Sequence, residues 1–121
     1  MTLQELYQKI GGDYERARKI MMMDAIIAKM IVKYPADKSC AALAAAAEKP
    51  DPAAMFDSAH ALNGVSANLG LMEIYNRCCV LSDEFREGNP RTMTDEEVRE
   101  KVQEVVRLDQ QARDAIREFA G

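Results

Sequence analysis

Apolar residues recur at three- and four-residue intervals along most of this chain, and no stretch alternates apolar with polar as a half-buried strand does. Thr2-Leu3-Gln4-Glu5 reads as a capping box that opens a short helix, which Gly11-Gly12 ends. Asp13 then caps a helix predicted to run to about Tyr34, just before Pro35. In it Ala17, Ile20, Met21, Asp24, Ile27, Ile31 and Tyr34 form one stripe. Met23, Ile26 and Met30 lie on a neighbouring face, so this helix is expected to pack on two sides.

Asp37 or Ser39 can cap an alanine-rich helix reaching about Glu48. Asp51-Pro52 supplies an N-cap followed by proline at the first helical position, which starts a helix over 53–69. Gly70 marks a break, and the next helix, 71–87, stops at Gly88-Asn89-Pro90. Thr94-x-x-Glu97 opens a last helix, 95–119, with Val98, Val102, Val105, Ala112, Ile116 and Phe119 on one side.

Short connections between long helices favour antiparallel neighbours. The expected fold is therefore all-α: an antiparallel four-helix bundle of segments 13–34, 53–69, 71–87 and 95–119. The segments 2–10 and 37–48 are accessory helices, and Leu62, Leu69, Leu81 and Phe85 belong to the core. One domain is expected over 1–121. Residues 1–52 are its N-terminal helices and connection, 53–87 a helical hairpin, and 95–119 the final bundle helix.

Composition narrows the function. The 121 residues are 48% hydrophobic and 30% charged with a net charge of −4, and no lysine–arginine cluster suited to a phosphate backbone is present. Nucleic acid is not the expected partner. The longest apolar run, Met21 to Val32, contains Asp24 and Lys29 and is too short to cross a bilayer. The N-terminus lacks the basic and apolar regions of a signal peptide, so a cytoplasmic chain with no membrane partner is expected. Cys40, Cys78 and Cys79 form neither a disulfide framework nor a C-x-x-C motif, and read as reduced packing thiols.

The one histidine, His60, changes the picture most. On its helix Met55, Ala59, Leu62, Ser66 and Leu69 define the core stripe, and His60 lies about 100° round from it. Its own row holds Phe56 and Asp57 before it and Asn63, Gly64 and Ala67 after it. An unperturbed imidazole titrates near ~6.5, so its neutral form offers a nucleophilic nitrogen. A glycine within a helix costs about 1 kcal/mol relative to alanine, and clearance beside His60 is a reason for Gly64 to carry that cost. The following helix has Ile74, Cys78, Leu81 and Phe85 as its stripe. Folding back around Gly70-Leu71 sets Ser82 level with His60, and Cys78 and Cys79 level with Asn63 and Gly64. Ser82 is thus the candidate to hold the proton on the ring's second nitrogen.

The bland alternative is a histidine that only fills a bundle edge. Asp57-x-x-His60 resembles half of a di-metal motif, but there is no second histidine to complete one. The methionines, Met21, Met22 and Met23 among them, read as core filler rather than copper ligands. Ser66 and Ser82 lack the strained turn and oxyanion hole of a hydrolase.

His60-x-Leu62-Asn63-Gly64, followed by Val65-Ser66-Ala67-Asn68-Leu69-Gly70, resembles the H-x-L-K-G…L-G core of histidine-containing phosphotransfer (HPt) domains. The likeness is strongest from about Phe56 to Glu87. The resemblance implies that His60 is the phosphorylated residue, with Gly64 the clearance position and Leu62 and Leu69 the anchors beneath. Asn63 and Ser82 would be supporting groups, and Asp57, Ala67, Asn68 and Cys79 partner-docking positions. Two positions depart from the family pattern. Asn63 stands where a lysine is common, and Ser82 where a longer glutamate or glutamine is common.

The resemblance further implies a two-component phosphorelay, with receiver domains and a histidine kinase as partners. The chain would be a carrier with no ATP site or cofactor of its own, and Mg²⁺ would come from the receiver. A helical adaptor that docks receivers without efficient transfer is the alternative that the Asn63 change permits. A purely structural helical module leaves both His60 and Gly64 unexplained.

Overall fold

In the computed structural model, which describes residues 1–121, four of the N-cap side chains expected from the sequence close their helices, whereas the helix from Ser39 has Lys38 at its N-cap with no side-chain cap, and Asp37 accepts from the Ser39 N–H at 2.8 Å instead. Thr2, Asp13, Asp51 and Thr94 accept from the backbone N–H groups of Glu5, Arg16, Ala54 and Glu97 at 3.0–3.1 Å. Each such cap is worth about 1 kcal/mol to its helix. Seven α-helices result: α1 Leu3–Lys9, α2 Tyr14–Met21, α3 Asp24–Ile31, α4 Ser39–Glu48, α5 Pro52–Leu69, α6 Met72–Glu84 and α7 Asp95–Ala120. A 3₁₀ turn, Tyr34–Ala36, precedes α4, and no strand forms. The caps of α1 and α7 are complete capping boxes.

The bundle is made by α4, α5, α6 and α7. The most extensive packing joins α5 to α6, α4 lies against α5 and α7, and α7 closes on α6. This corrects the expected assignment, in which 13–34 supplied the fourth bundle helix and 37–48 was accessory. Cys40, Leu43 and Ala47 of α4 are buried, and the alanines between them let its backbone lie close to its neighbours. Helix α7 buries Val98, Val102, Val105, Ala112 and Ile116, and Leu62, Leu69, Leu81 and Phe85 are likewise in the core.

The predicted helix over 13–34 breaks in two. Met22 takes a left-handed conformation, φ 71°, and its N–H still reaches the Arg18 carbonyl at 2.7 Å. Across the break Tyr14 donates its hydroxyl to Asp24, and Arg18 reaches the same carboxylate at 3.0 Å. These bonds hold the Asp24 carboxyl below its ordinary range. Asp24, placed in the apolar stripe by its spacing, instead ties the two short helices together. Only Ala17 of α2 and Ile27 and Ile31 of α3 are buried, so the second face, Met23, Ile26 and Met30, stays in solvent.

The 3₁₀ turn is riveted to α7. Tyr34 donates to Asp109 Oδ1 at 2.6 Å, Arg113 Nε donates to Asp109 Oδ2 at 2.7 Å, and the guanidinium continues to the carbonyls of Pro35 and Asp37. Burial, with the Asp109 carboxylate next to it, pushes the Tyr34 phenol well above its ordinary value. At the other end, Tyr7 donates to the Leu69 carbonyl at 2.6 Å and the Asp13 N–H to that of Gly70 at 2.7 Å. Carbonyls at the end of α5 are thereby satisfied by the N-terminal segment.

Helix α6 stops at Glu84 rather than continuing to the predicted Glu87. The buried Glu84 carboxylate accepts from the backbone N–H groups of Thr92 and Met93 and from the Thr92 hydroxyl, at 2.7–2.9 Å. Those bonds draw the chain toward α7. Burial raises the Glu84 carboxyl, but the Met93 and Thr92 bonds and the Arg91 charge outweigh it and hold the group below its ordinary value.

Two outcomes follow from these buried polar anchors. Arg113→Ala leaves Asp109 without its ionic partner and should lower the unfolding free energy by about 2–4 kcal/mol, read from urea denaturation. Glu84 contributes stability above the ordinary carboxylate range, and that contribution is lost as pH falls through its depressed folded value. Glu84→Gln should therefore cost about 1–3 kcal/mol at neutral pH. Its stability should also fall less steeply than the parent's between roughly pH 5 and pH 3.

Candidate functional site around His60

Helix α5 turns one face wholly inward. Met55, Ser58, Ala59, Leu62, Ser66 and Leu69 are buried, and the two serines return their hydroxyls to the carbonyls of Ala54 and Leu62 at 2.7 Å each. Polar side chains thus sit in the core stripe with no buried side-chain donor or acceptor left unpaired. The opposite face, Asp57, His60, Ala61, Gly64 and Asn68, is exposed. His60 is therefore an open side chain on a helix fixed from behind.

No hydrogen bond within the chain reaches the His60 ring. Its neighbour is Phe56, one turn earlier, whose ring lies 5.4 Å away centroid to centroid and only 10° from parallel. The Arg86 guanidinium covers Phe56 in turn, 5.6 Å from that ring's centroid. On the other side of His60, a Cβ built on Gly64 meets nothing within 4 Å. The chain's own packing thus gives no reason for glycine there, and the space above it is open to a second molecule.

The expected level crossing of the hairpin is met at Asn63, whose Nδ2 donates to Cys79 Sγ at 2.9 Å and to the Tyr75 carbonyl at 3.4 Å. The Asn63 amide is thereby turned toward α6, and a lysine in its place would give up both bonds. Ser82 is buried beneath, and its hydroxyl donates to the Cys79 carbonyl at 3.2 Å rather than to the imidazole. Ala67 is half-buried, and its carbonyl accepts from Arg16 Nε at 3.4 Å.

The thiols differ in character. Burial pushes Cys78 up to about 12, and burial with the nearby Asp109 charge does the same for Cys40, so both are inert packing groups at neutral pH. Cys79 is half-buried, and its nearness raises the Tyr75 phenol above its ordinary value. No three histidine, cysteine or carboxylate side chains converge closely enough to hold a metal ion.

Three features of the site went unread in the sequence: the Phe56 stack, its Arg86 cover, and an apolar surface beside α5. The stack had a signal, since residues four apart on a helix are neighbours. The apolar surface had a partial signal in the Met23, Ile26 and Met30 face, but spacing implies that such a face is covered, whereas these residues, with Ile20 and Met22, are exposed. Met21 and Met30 line a cleft of about 240 Å³ with Val65 and Asn68, which brings this surface against the histidine helix.

Gly64→Ala adds a methyl to open space and removes a helix-interior glycine, so it should stabilise the bundle by about 0.5–1 kcal/mol. A higher urea midpoint with an unchanged slope is the expected reading.

No helix is long and apolar enough to cross a membrane. No curated protein and no solved structure matches the chain. The Hpt domain family model matches residues 36–119. That span, more than half of the sequence, takes in α4 through α7 and so contains the His60 helix together with every helix of the bundle it packs in; the chain belongs to the Hpt domain family.

Proposed function

We propose that this chain is a phosphocarrier that accepts a phosphoryl group on a ring nitrogen of His60 from a receiver-domain aspartyl phosphate and passes it on by the reverse step. Hpt domains carry out histidine phosphotransfer in phosphorelays generally. The observation that carries the reading here is an exposed imidazole with no hydrogen-bond partner, on the outer face of a buried helix, one turn before a glycine with open space above it.

In the transfer a neutral ring nitrogen attacks phosphorus in line. The N–P bond forms as the acyl O–P bond breaks, and the electron pair leaves with the aspartate carboxylate. Transfer of this kind depends on positioning and charge neutralisation. Helix α5 supplies the positioning, because its other face is locked in the core. The neutralising charge, including Mg²⁺, is assigned to the receiver, since Asn63 is uncharged and its amide is occupied at α6. Asn63 then supports the site by bracing the α5–α6 hairpin, while Ser82 bonds only within its own helix. The exposed Asp57 and Asn68 and the half-buried Ala67 and Cys79 flank His60 as docking positions, and the methionine surface of α2 and α3 extends the area a receiver would cover.

The Asn63 geometry also favours the alternative, an adaptor that docks receivers without efficient transfer. One experiment separates the two readings. With a phosphorylated receiver and Mg²⁺, the parent should acquire acid-labile, base-stable label, and His60→Gln should acquire none while keeping its helical circular dichroism. Gly64→Ala should be labelled more slowly although it is the more stable protein. Equal labelling of parent and His60→Gln overturns the carrier reading, and receiver binding without labelling of the parent selects the adaptor.

A further inference from the structure

His60 lacks the polar partner that would ordinarily hold a reactive imidazole in one orientation. Ser82 gives its hydroxyl to Cys79 and Asn63 its amide to α6, so neither contacts the ring. The aromatic contact on it comes from one turn earlier on its own helix, and that neighbour is covered in turn from just beyond α6. Phe56 lies parallel to the imidazole, and Arg86 covers Phe56. We propose that Phe56, held by Arg86, is the positioning residue for His60, fixing the imidazole plane by stacking where a hydrogen bond would otherwise do so.

The geometry favours this role in three ways. A ring 10° from parallel favours one plane for the exposed imidazole, whose nitrogens have no hydrogen-bond partner within the chain. Phe56 is half-buried and belongs to the packing around the core, so its own ring is anchored. Arg86 also pairs with Asp83 at 2.9 Å, a surface bond that biases the guanidinium toward the end of α6 only weakly. The two ring spacings put the Arg86 guanidinium at most about 11 Å from the imidazole centroid, where its charge in water would favour a dianionic phosphoryl group by roughly four-fold or more. Arg86 is assigned to the ring because Phe56 is what it covers, and an imidazole ring-current shift reports that contact, which a long-range charge does not produce.

The role in transfer rests on the carrier reading, but the stack can be tested without it. His60 is the only histidine, so the two carbon-bound protons of its imidazole give two unmixed NMR resonances. In the parent they should be displaced upfield by the Phe56 ring current, return toward free-histidine positions in Phe56→Leu, and return part of the way in Arg86→Gln. Phosphoryl acceptance should slow roughly three- to ten-fold in Phe56→Leu, matching the strength of one aromatic pair, and recover in Phe56→Tyr.

Parent resonances at free-histidine positions overturn the proposal outright, as does Phe56→Leu accepting phosphoryl at the parent rate, or Phe56→Tyr failing to recover it. Should Phe56→Leu not fold, Arg86→Gln, which leaves the core untouched, decides the matter: unmoved imidazole resonances count against the proposal. If the parent accepts no label while its resonances show the stack, the carrier reading and the role in transfer fail together, and only the geometry stands.

Discussion

The turn at Gly70 is the constraint on which the rest depends. Its left-handed conformation, φ 72°, ends α5 and sends the chain into α6, and a Cβ there would lie 2.5 Å from the Asp13 carbonyl oxygen. Only glycine allows both the sharp reversal and the close approach of another backbone. The reversal makes α5 and α6 a tightly packed pair and sets Asn63 against Cys79. The close approach lets Asp13 and Tyr7 close the end of α5, which docks the N-terminal helices on the histidine helix.

Around that turn the molecule separates rigidity from exposure. The inward face of α5 is apolar apart from two serines that bond to their own helix, so the backbone carrying His60 is held along its length. The outward face contributes almost nothing to packing. This division leaves the His60 side chain open to solvent without the helix losing support. It also leaves the ring's orientation to whatever touches it, and within the chain that is Phe56.

The N-terminal third follows a different logic. The bonds from Tyr14 and Arg18 to Asp24 lie at the surface and are individually weak. The left-handed Met22, 74% exposed, adds a conformation that favours glycine. What keeps α2 and α3 in place is Ala17, Ile27 and Ile31 beneath them, together with the Tyr34–Asp109–Arg113 anchor that follows. The apolar side chains left outside form a surface next to the exposed face of α5.

The sequence by itself determined the starts of the helices capped by Thr2, Asp13, Asp51 and Thr94, the histidine hairpin and the candidate residue His60. Caps, glycine turns and three-and-four spacing are local, and they act before any helix meets another. It also determined that Asn63 and Cys79 lie level, because a hairpin about a known turn leaves little freedom of register. Tertiary structure decided which helices make the bundle. Periodicity shows that a face is apolar, not what covers it, so the alanines of α4 took the place expected for residues 13–34 once Met22 broke that helix. It likewise decided what each polar group near His60 bonds to. The buried Ser82 hydroxyl finds a carbonyl in its own helix, and Phe56 stacks on the imidazole. Such choices depend on distances of a few ångströms between elements, which spacing along a chain does not encode.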